Sequence, residues 1–210
     1  MKKVCCFLII GLLAGCSSTR LVDSWKNPQT INFNPEKLLV VGMTKYTGAR
    51  SVFEQDLEDE LTFRGINAVK SLSVFDPAFT HAKQTEQDID ALVKILNEKG
   101  FDAVLVTAVR GVENKKVTRG SYYISPFAPR RFRNYYFLHQ DIYYYPEYYE
   151  DYKVYHLETS LFNIKPDSER SLIWIGYIDI VDPSSMEGSI NDYVKEIIRS
   201  MEKEKIIRKL

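Results

Sequence analysis

The stretch that decides the fold is residues 37–43, which read KLLVVGM. It is a continuous apolar run rich in branched side chains, without alternating polar residues. Such a run is typical of a strand that is buried on both faces, as in a parallel sheet covered by helices. Parallel strands need long crossover connections, so the fold class depends on the segment that comes after this strand.

A helix is predicted directly after it. In residues 49–64, Phe53, Leu57 and Leu61 recur at every fourth position, and charged side chains occupy many of the positions between them. This spacing places the three apolar side chains on one helical face, and Gly65 is suited to end the helix.

The alternation of strand and helix then repeats. Residues 66–72 are a short strand candidate, and residues 76–84 are predicted to form a loop. Thr85 begins a capping-box pattern in which Asp88 takes the place usually held by Glu, and an amphipathic helix comes next. Residues 101–109 (FDAVLVTAV) are another buried strand. This order predicts a right-handed βαβαβ unit with a parallel sheet.

The second half of the chain predicts a hairpin and a final helix. Residues 153–165 and 170–181 both alternate in the manner of strands, and the segment that joins them has the composition of a turn. A helix over 189–207 is expected to cover one sheet face. The predicted fold class is α/β, with a two-layer or three-layer mixed sheet in a single domain over residues 37–210.

Residues 111–152 do not fit this regular layout. Loops above about 12–15 residues are uncommon inside a compact domain and are usually functional or disordered. Tyrosine and arginine, which are abundant here, are enriched where proteins bind partners. This insertion is therefore the candidate binding site. Its candidate side chains are Tyr122, Tyr123, Arg130, Arg131, Tyr135, Tyr136, Tyr143 and Tyr144.

Several roles remain open for this insertion. The tyrosines could stack on sugar rings of envelope glycans, lie among lipid headgroups together with the arginines, or form an interface with an envelope protein. The alternative is that they only pack over the sheet. Nucleic acid is not expected as a partner. Two of the 28 basic residues lie in the first 15 positions, which leaves 26 against 28 acidic residues, and this balance offers no electrostatic attraction for nucleic acid.

The amino terminus has the pattern of a secretory signal. A short basic start precedes an apolar stretch that is too short to span a bilayer. The stretch ends in Leu-Ala-Gly-Cys at residues 13–16. This ending resembles the lipobox of bacterial lipoproteins. The resemblance implies a leader over residues 1–15 and a Cys16 that carries diacylglycerol and palmitate as the membrane anchor. Ser17 at the sorting position favours the outer membrane.

The residues after the lipobox predict a tether. Residues 16–36 are polar and rich in turn formers, so we expect a lipidated amino terminus and a linker to the domain. Trp25 is expected either to pack on the domain or to lie at the headgroup level. Cys16 is the only cysteine beyond the leader. The sequence therefore offers no disulfide, no thiolate nucleophile and no cysteine metal site.

The whole layout resembles small envelope lipoproteins with an α/β domain, such as the curli-secretion lipoprotein, the penicillin-binding-protein activators and the amino-terminal domain of the Tol–Pal translocation protein. The resemblance rests on the lipobox and on residues 38–42, 50–65 and 100–106. Residues 24–28 (SWKNP) and 37–60 look like lipoproteins common in Bacteroidetes. The resemblance implies a non-catalytic binding, adaptor or assembly module that uses the insertion or a sheet edge, with a homo-oligomer as a further alternative.

One pattern favours an enzyme instead. His81, Lys83 and Asp88 match the H-x-K-x4-D pattern of the phospholipase D superfamily, which includes cardiolipin synthases. The resemblance implies a phosphatidyltransferase with His81 as nucleophile and Lys83 on the phosphate. However, the superfamily site uses two such motifs, and Asp88 already has a capping role. We therefore expect no enzyme and keep this activity as the alternative.

No cofactor or metal is expected. The histidines are far apart and lack metal-ligand spacing. The acidic run of the first helix is typical of a solvated helix face rather than of a paired-carboxylate site. Its members are Glu54, Asp56, Glu58, Asp59 and Glu60.

Overall fold

The computed structural model describes residues 18–30, 33–114, 131–140, 153–166, 172–183 and 185–210. Within these ranges the chain forms six strands and five α-helices. In chain order they are β1 (Thr19–Lys26), β2 (Leu38–Met43), α1 (Thr47–Phe63), β3 (Ala68–Lys70), α2 (Pro77–His81), α3 (Glu86–Glu98), β4 (Ala103–Asn114), α4 (Phe132–His139), β5 (Lys153–Asn163), β6 (Leu172–Val181) and α5 (Met186–Lys203), with a 3-10 turn at Ser71–Ser73.

The strands form one mixed sheet in the order β1-β6-β5-β4-β2-β3. β2 lies between β3 and β4 and runs parallel to both, which confirms the predicted parallel unit. β5 pairs antiparallel with β4 and with β6, so the predicted hairpin continues the same sheet. All six residues of β2 are buried, as expected for a strand that is covered on both faces.

Helices cover both faces of the sheet, so the domain has three layers. A first core lies between the sheet and helices α1 and α5, where Leu57 and Ile197 are buried. A second core lies on the opposite face, where Ile89 of α3 and Phe132 of α4 are buried. The α/β class is confirmed, as is the cover that the last helix provides. No helix in the described ranges is long and apolar enough to cross a bilayer.

Strand β1 corrects the predicted tether. Its residues pair antiparallel with β6, from Thr19 opposite Ile180 to Lys26 opposite Trp174. Trp25 packs against the second core, so the alternative in which it packs on the domain is the one observed. A bulge between Leu21 and Asp23 interrupts the alternation of this strand. The folded domain therefore starts well before residue 37.

Two segments in the middle of the chain also differ from the prediction. Segment 76–84, predicted as a loop, contains helix α2. Pro77 suits the first helical position, and Phe79 packs in the second core. The strand predicted over 66–72 is limited to the three residues of β3, because the chain turns into the 3-10 conformation at Ser71.

Candidate functional site

Helix α4, in the middle of the predicted insertion, is a packing element, whereas residues 111–114 at the start of the insertion continue strand β4. Tyr135 and Tyr136 lie in α4 and are 0% and 1% exposed. Their rings contact Phe162 and Phe79, respectively, in the second core. This burial corrects the binding role predicted for these two side chains, because neither can reach a partner in the folded domain.

Of the other predicted binding residues, Arg131 alone lies in the described part of the chain. It precedes α4 and is exposed. The rest, like Cys16 and the leader, lie outside the described residues. They are Tyr122, Tyr123, Arg130, Tyr143 and Tyr144.

Helix α4 is fixed on α3 by polar contacts. Arg133 Nη1 lies 3.3 Å from Glu86 Oε2 and 3.1 Å from Asp90 Oδ2. Gln84 N donates to Gln140 Oε1 at 2.7 Å, and Gln140 Nε2 donates back to Gln84 O at 3.0 Å. The middle of the insertion therefore belongs to the three-layer scaffold.

The residues of the phospholipase-D-like pattern lie around the start of α3. His81 ends α2, and Lys83 is exposed in the connection to α3. Asp88 forms the predicted capping box with Thr85: Thr85 N donates to Asp88 Oδ2 at 2.9 Å, and Asp88 N donates to Thr85 Oγ1 at 3.2 Å. Hydrogen bonds from the Thr85 hydroxyl and backbone lower the pKa of Asp88. The aspartate therefore has the capping role that the sequence predicts for it.

A buried carboxylate lies at the carboxyl end of β2, where open α/β sheets commonly bind ligands. Glu54 of α1 is fully buried, which corrects the solvated face predicted for it. Its Oε1 accepts hydrogen bonds from Gly42 N (2.9 Å), Arg50 Nε (2.8 Å) and Ser71 Oγ (2.6 Å), and its Oε2 accepts from Leu72 N (2.9 Å). We call these five residues the closed network. Two backbone N–H groups, a guanidinium and a hydroxyl donate to this carboxylate, so its hydrogen bonds are made inside the protein.

The local sequence explains this arrangement. Arg50 and Glu54 are four residues apart on one helix face, which lets their side chains pair. A Cβ atom at position 42 would lie 3.1 Å from Phe53 Cδ1, so glycine allows α1 to approach the strand closely. The sequence pattern that could have revealed this site is the glycine at the end of β2, combined with an i,i+4 ion pair in the following helix.

A second set of charged side chains lies on the part of β4, β5 and β6 that extends past the parallel strands. We call it the open cluster; its members are Arg110, Glu113, His156, Glu158 and Asp179. His156 Nδ1 lies 2.6 Å from Asp179 Oδ1, and His156 Nε2 lies 3.6 Å from Glu113 Oε1. Arg110 pairs with the fully buried Glu158.

The exposure of the open cluster increases toward the end of the sheet. The side chains of Asp179, His156 and Glu113 are 20%, 35% and 66% exposed, respectively. Glu158 is fully buried and also accepts a hydrogen bond from Ser160 Oγ at 3.1 Å. The cluster therefore presents two carboxylates to solvent, whereas the imidazole between them is only partly exposed and its Nε2 is buried.

Strand alternation brings the open cluster together. Along β5, Tyr155 and Leu157 point to the first core, so His156 and Glu158 point to the opposite face. His156 lies directly opposite Asp179 of β6. A bulge in β4 at Arg110 redirects the chain at this point. No local sequence pattern marks this site, because its members come from three strands that are far apart in the chain.

On the opposite face of the sheet, which packs against α5, three hydroxyl groups form a hydrogen-bonded chain. Thr107 Oγ1 and Thr159 Oγ1 are 2.7 Å apart, and Thr159 Oγ1 lies 2.6 Å from the Tyr193 hydroxyl of α5. Burial raises the pKa of Tyr193 far above its usual range. The Tyr193 hydroxyl therefore stays neutral and serves as a hydrogen-bonding group inside the first core.

The open cluster is suited to bind a charged, hydrogen-bonding partner. Its exposed carboxylates can accept hydrogen bonds from such a partner. The imidazole cannot take part, because His156 Nδ1 is bonded to Asp179 and Nε2 is buried. No group of three or more His, Cys, Asp or Glu side chains in the described part of the chain is arranged to hold a metal ion.

Comparison with known proteins gives weak structural similarity. No protein-family model and no curated protein matches the chain. Among solved structures, the PelC dodecamer from Paraburkholderia phytofirmans is 12% identical with a TM-score of 0.44, and the match covers 86% of this chain and 94% of that chain. Lipoprotein GNA1162 from Neisseria meningitidis is 15% identical with a TM-score of 0.40, covering 80% and 99%. Similarities of this size do not establish a shared fold, family or function.

Proposed function

We propose that this chain is a non-catalytic, lipid-anchored envelope lipoprotein that acts as a binding, adaptor or assembly module. The lipobox at residues 13–16 supports the anchor, and Ser17 supports the outer membrane as its location. The observation that carries the binding role is the open cluster, where charged side chains from three strands remain accessible on a folded sheet face.

The charge of the open cluster favours a basic partner. Arg110 is paired with buried Glu158, so its charge is largely neutralised within the domain. Glu113 and Asp179 contribute two carboxylates that share a single imidazole. A basic segment of an envelope protein would pair with this excess negative charge, and such complementarity mainly increases the association rate and the specificity. A neutral glycan carries no positive charge and would not pair with these carboxylates.

A pair of matched double variants tests this function. Glu113→Gln with Asp179→Asn removes both accessible carboxylates, and Asp59→Asn with Glu98→Gln removes two exposed carboxylates elsewhere. We expect crosslinking in envelopes to capture a protein partner with the wild type and the control but not with the cluster variant. The captured partner should dissociate as salt is raised, because exposed charge pairs are screened. Equal capture by both variants would rule out the open cluster as the binding site.

The enzymatic alternative rests on the H-x-K-x4-D match of His81, Lys83 and Asp88. Under this alternative the chain is a phosphatidyltransferase that uses His81 as nucleophile. His81→Ala should then abolish lipid turnover, whereas the binding function predicts no change. A homo-oligomeric module is a further alternative, which the native mass of the domain without its leader tests.

A further inference from the structure

The sheet begins almost immediately after the proposed anchor. Ser18 is already fixed to the domain, because Val181 N donates to Ser18 O at 2.7 Å. Only Ser17 separates Ser18 from Cys16. Two residues of fully extended chain span at most about 7 Å. The proposed lipid on Cys16 is therefore attached within about 7 Å of Ser18, which is bonded to the sheet.

This fixed point belongs to one end of the domain. Asp182 N donates to Lys153 O at 2.8 Å, which places the end of β6 beside the start of β5. A shallow cleft joins Ser18 to the first turns of α5, where Glu187 and Asp192 also line it. Met186, the first residue of α5, is 60% exposed. We call Ser18, Lys153, Asp182 and Met186 the anchor end.

We propose that the anchor end rests directly on the lipid headgroups, so that the strands of the sheet lead away from the membrane surface. The open cluster then lies beside the bilayer, because Glu113 is opposite Val154, the residue after Lys153, and the partner of the cluster approaches along the membrane surface. This inference rests on the proposed lipid anchor and adds the surface through which the domain contacts lipid. Because β1 begins at Thr19, where a tether was expected, only Ser17 and Ser18 lie between Cys16 and the sheet. The partner of this surface is a lipid bilayer.

The side chains of the anchor end fit a zwitterionic headgroup layer. Met186 is apolar and can enter the headgroup region, whereas Lys153 can pair with phosphate. Asp182, Glu187 and Asp192 can accept hydrogen bonds from the ammonium groups of phosphatidylethanolamine. A surface with this many carboxylates would gain little from an anionic membrane, because like charges repel.

Site-specific fluorescence quenching tests the orientation. Acylation blocks Cys16, so a single introduced cysteine can be labelled selectively in the mature lipoprotein. Met186→Cys reports on the anchor end. Lys165→Cys is the matched control because it is exposed and comes after β5, whose 11 residues span about 35 Å from Lys153. The proteins are reconstituted in vesicles of phosphatidylethanolamine and phosphatidylcholine that carry a nitroxide on the headgroup.

We expect a label at position 186 to lose most of its fluorescence and a label at position 165 to keep it. Lys153→Cys provides a second anchor-end position if Met186→Cys does not fold by circular dichroism. Equal quenching at both ends, or stronger quenching at position 165, would overturn the inference while leaving the lipid anchor intact. A chain that neither incorporates palmitate nor floats with the vesicles would overturn the lipid anchor as well.

Discussion

The closed network and the open cluster are built around the same pair of groups and differ in their surroundings. Each has a fully buried glutamate that pairs with an arginine. Around Glu54 the remaining acceptor positions are taken by backbone N–H groups and a serine hydroxyl. Glu158 accepts from Arg110 and Ser160. The charged side chains farther along the same sheet face are partly or largely exposed, and they are His156, Asp179 and Glu113.

This difference separates a structural role from a binding role. A buried carboxylate whose acceptors are all used inside the protein holds two elements together and offers nothing to a ligand. On the other face, Glu113 and Asp179 keep exposed carboxylate surface beside the second buried pair. The carboxylates of Glu54, Glu158, Asp179 and Asp88 form a series from fully buried to exposed. Substituting each of them tests whether burial separates the structural role from the binding role.

The largest effect is expected for Glu54→Ala. Arg50 would remain buried without its partner, and removing one member of a buried pair typically costs about 3–5 kcal/mol. Urea unfolding followed by circular dichroism measures the change in the free energy of unfolding. Asp59→Ala, an exposed position on the same helix, is the control and should change this free energy by less than about 0.5 kcal/mol. A similar cost for both variants would show that Glu54 has no special role.

A smaller loss of stability is expected for Glu158→Ala. Its partner Arg110 has a side chain that is 18% exposed, so the guanidinium can regain water when the carboxylate is removed. The expected loss is about 1–3 kcal/mol, the usual cost of removing a buried hydrogen-bonding partner. The same unfolding experiment measures it. A loss as large as that of Glu54→Ala would contradict the distinction between the two sites.

Asp179→Asn is expected to separate stability from binding. The amide oxygen can still accept the hydrogen bond from His156, and the group is partly exposed, so the free energy of unfolding should change by less than about 1 kcal/mol. Partner capture should decrease, because the open cluster loses one of its two accessible carboxylates. A variant that loses stability but retains capture would assign Asp179 to the scaffold.

The smallest effect is expected at the exposed end of the series, for Asp88→Asn. Because the folded-state pKa of Asp88 is lowered, its stabilising contribution is present above the pKa of the unfolded chain. This contribution is lost as the pH falls through the lower, folded-state value. The variant should therefore unfold at nearly the same urea concentration as the wild type at low pH and at a slightly lower one near neutrality. An identical difference at both pH values would contradict the capping role of the charge.

The sequence predicted the central part of the fold because that part depends on local patterns. The apolar run of β2, the period of α1 and the Thr85–Asp88 cap each lie within one short segment. Strand β1 could not be predicted in this way, because its polar residues form a strand only through pairing with β6, more than a hundred residues later in the chain.

The candidate sites were harder to predict than the fold. Glu54 belongs to an acidic run, and its burial depends on donors from β2 and from the turn after β3. The His156–Asp179 contact depends on the register between two strands. The insertion was identified by composition, and composition does not distinguish buried tyrosines such as Tyr135 from accessible ones.

The most direct test of the binding role measures capture and stability on the same proteins. Wild type, the Glu113→Gln/Asp179→Asn variant and the Asp59→Asn/Glu98→Gln control are crosslinked in envelopes, and their urea unfolding curves are recorded in parallel. We predict that the cluster variant loses the captured protein while its unfolding midpoint stays close to that of the wild type. Capture that persists in this variant, or that disappears only together with stability, would contradict the binding role of the open cluster.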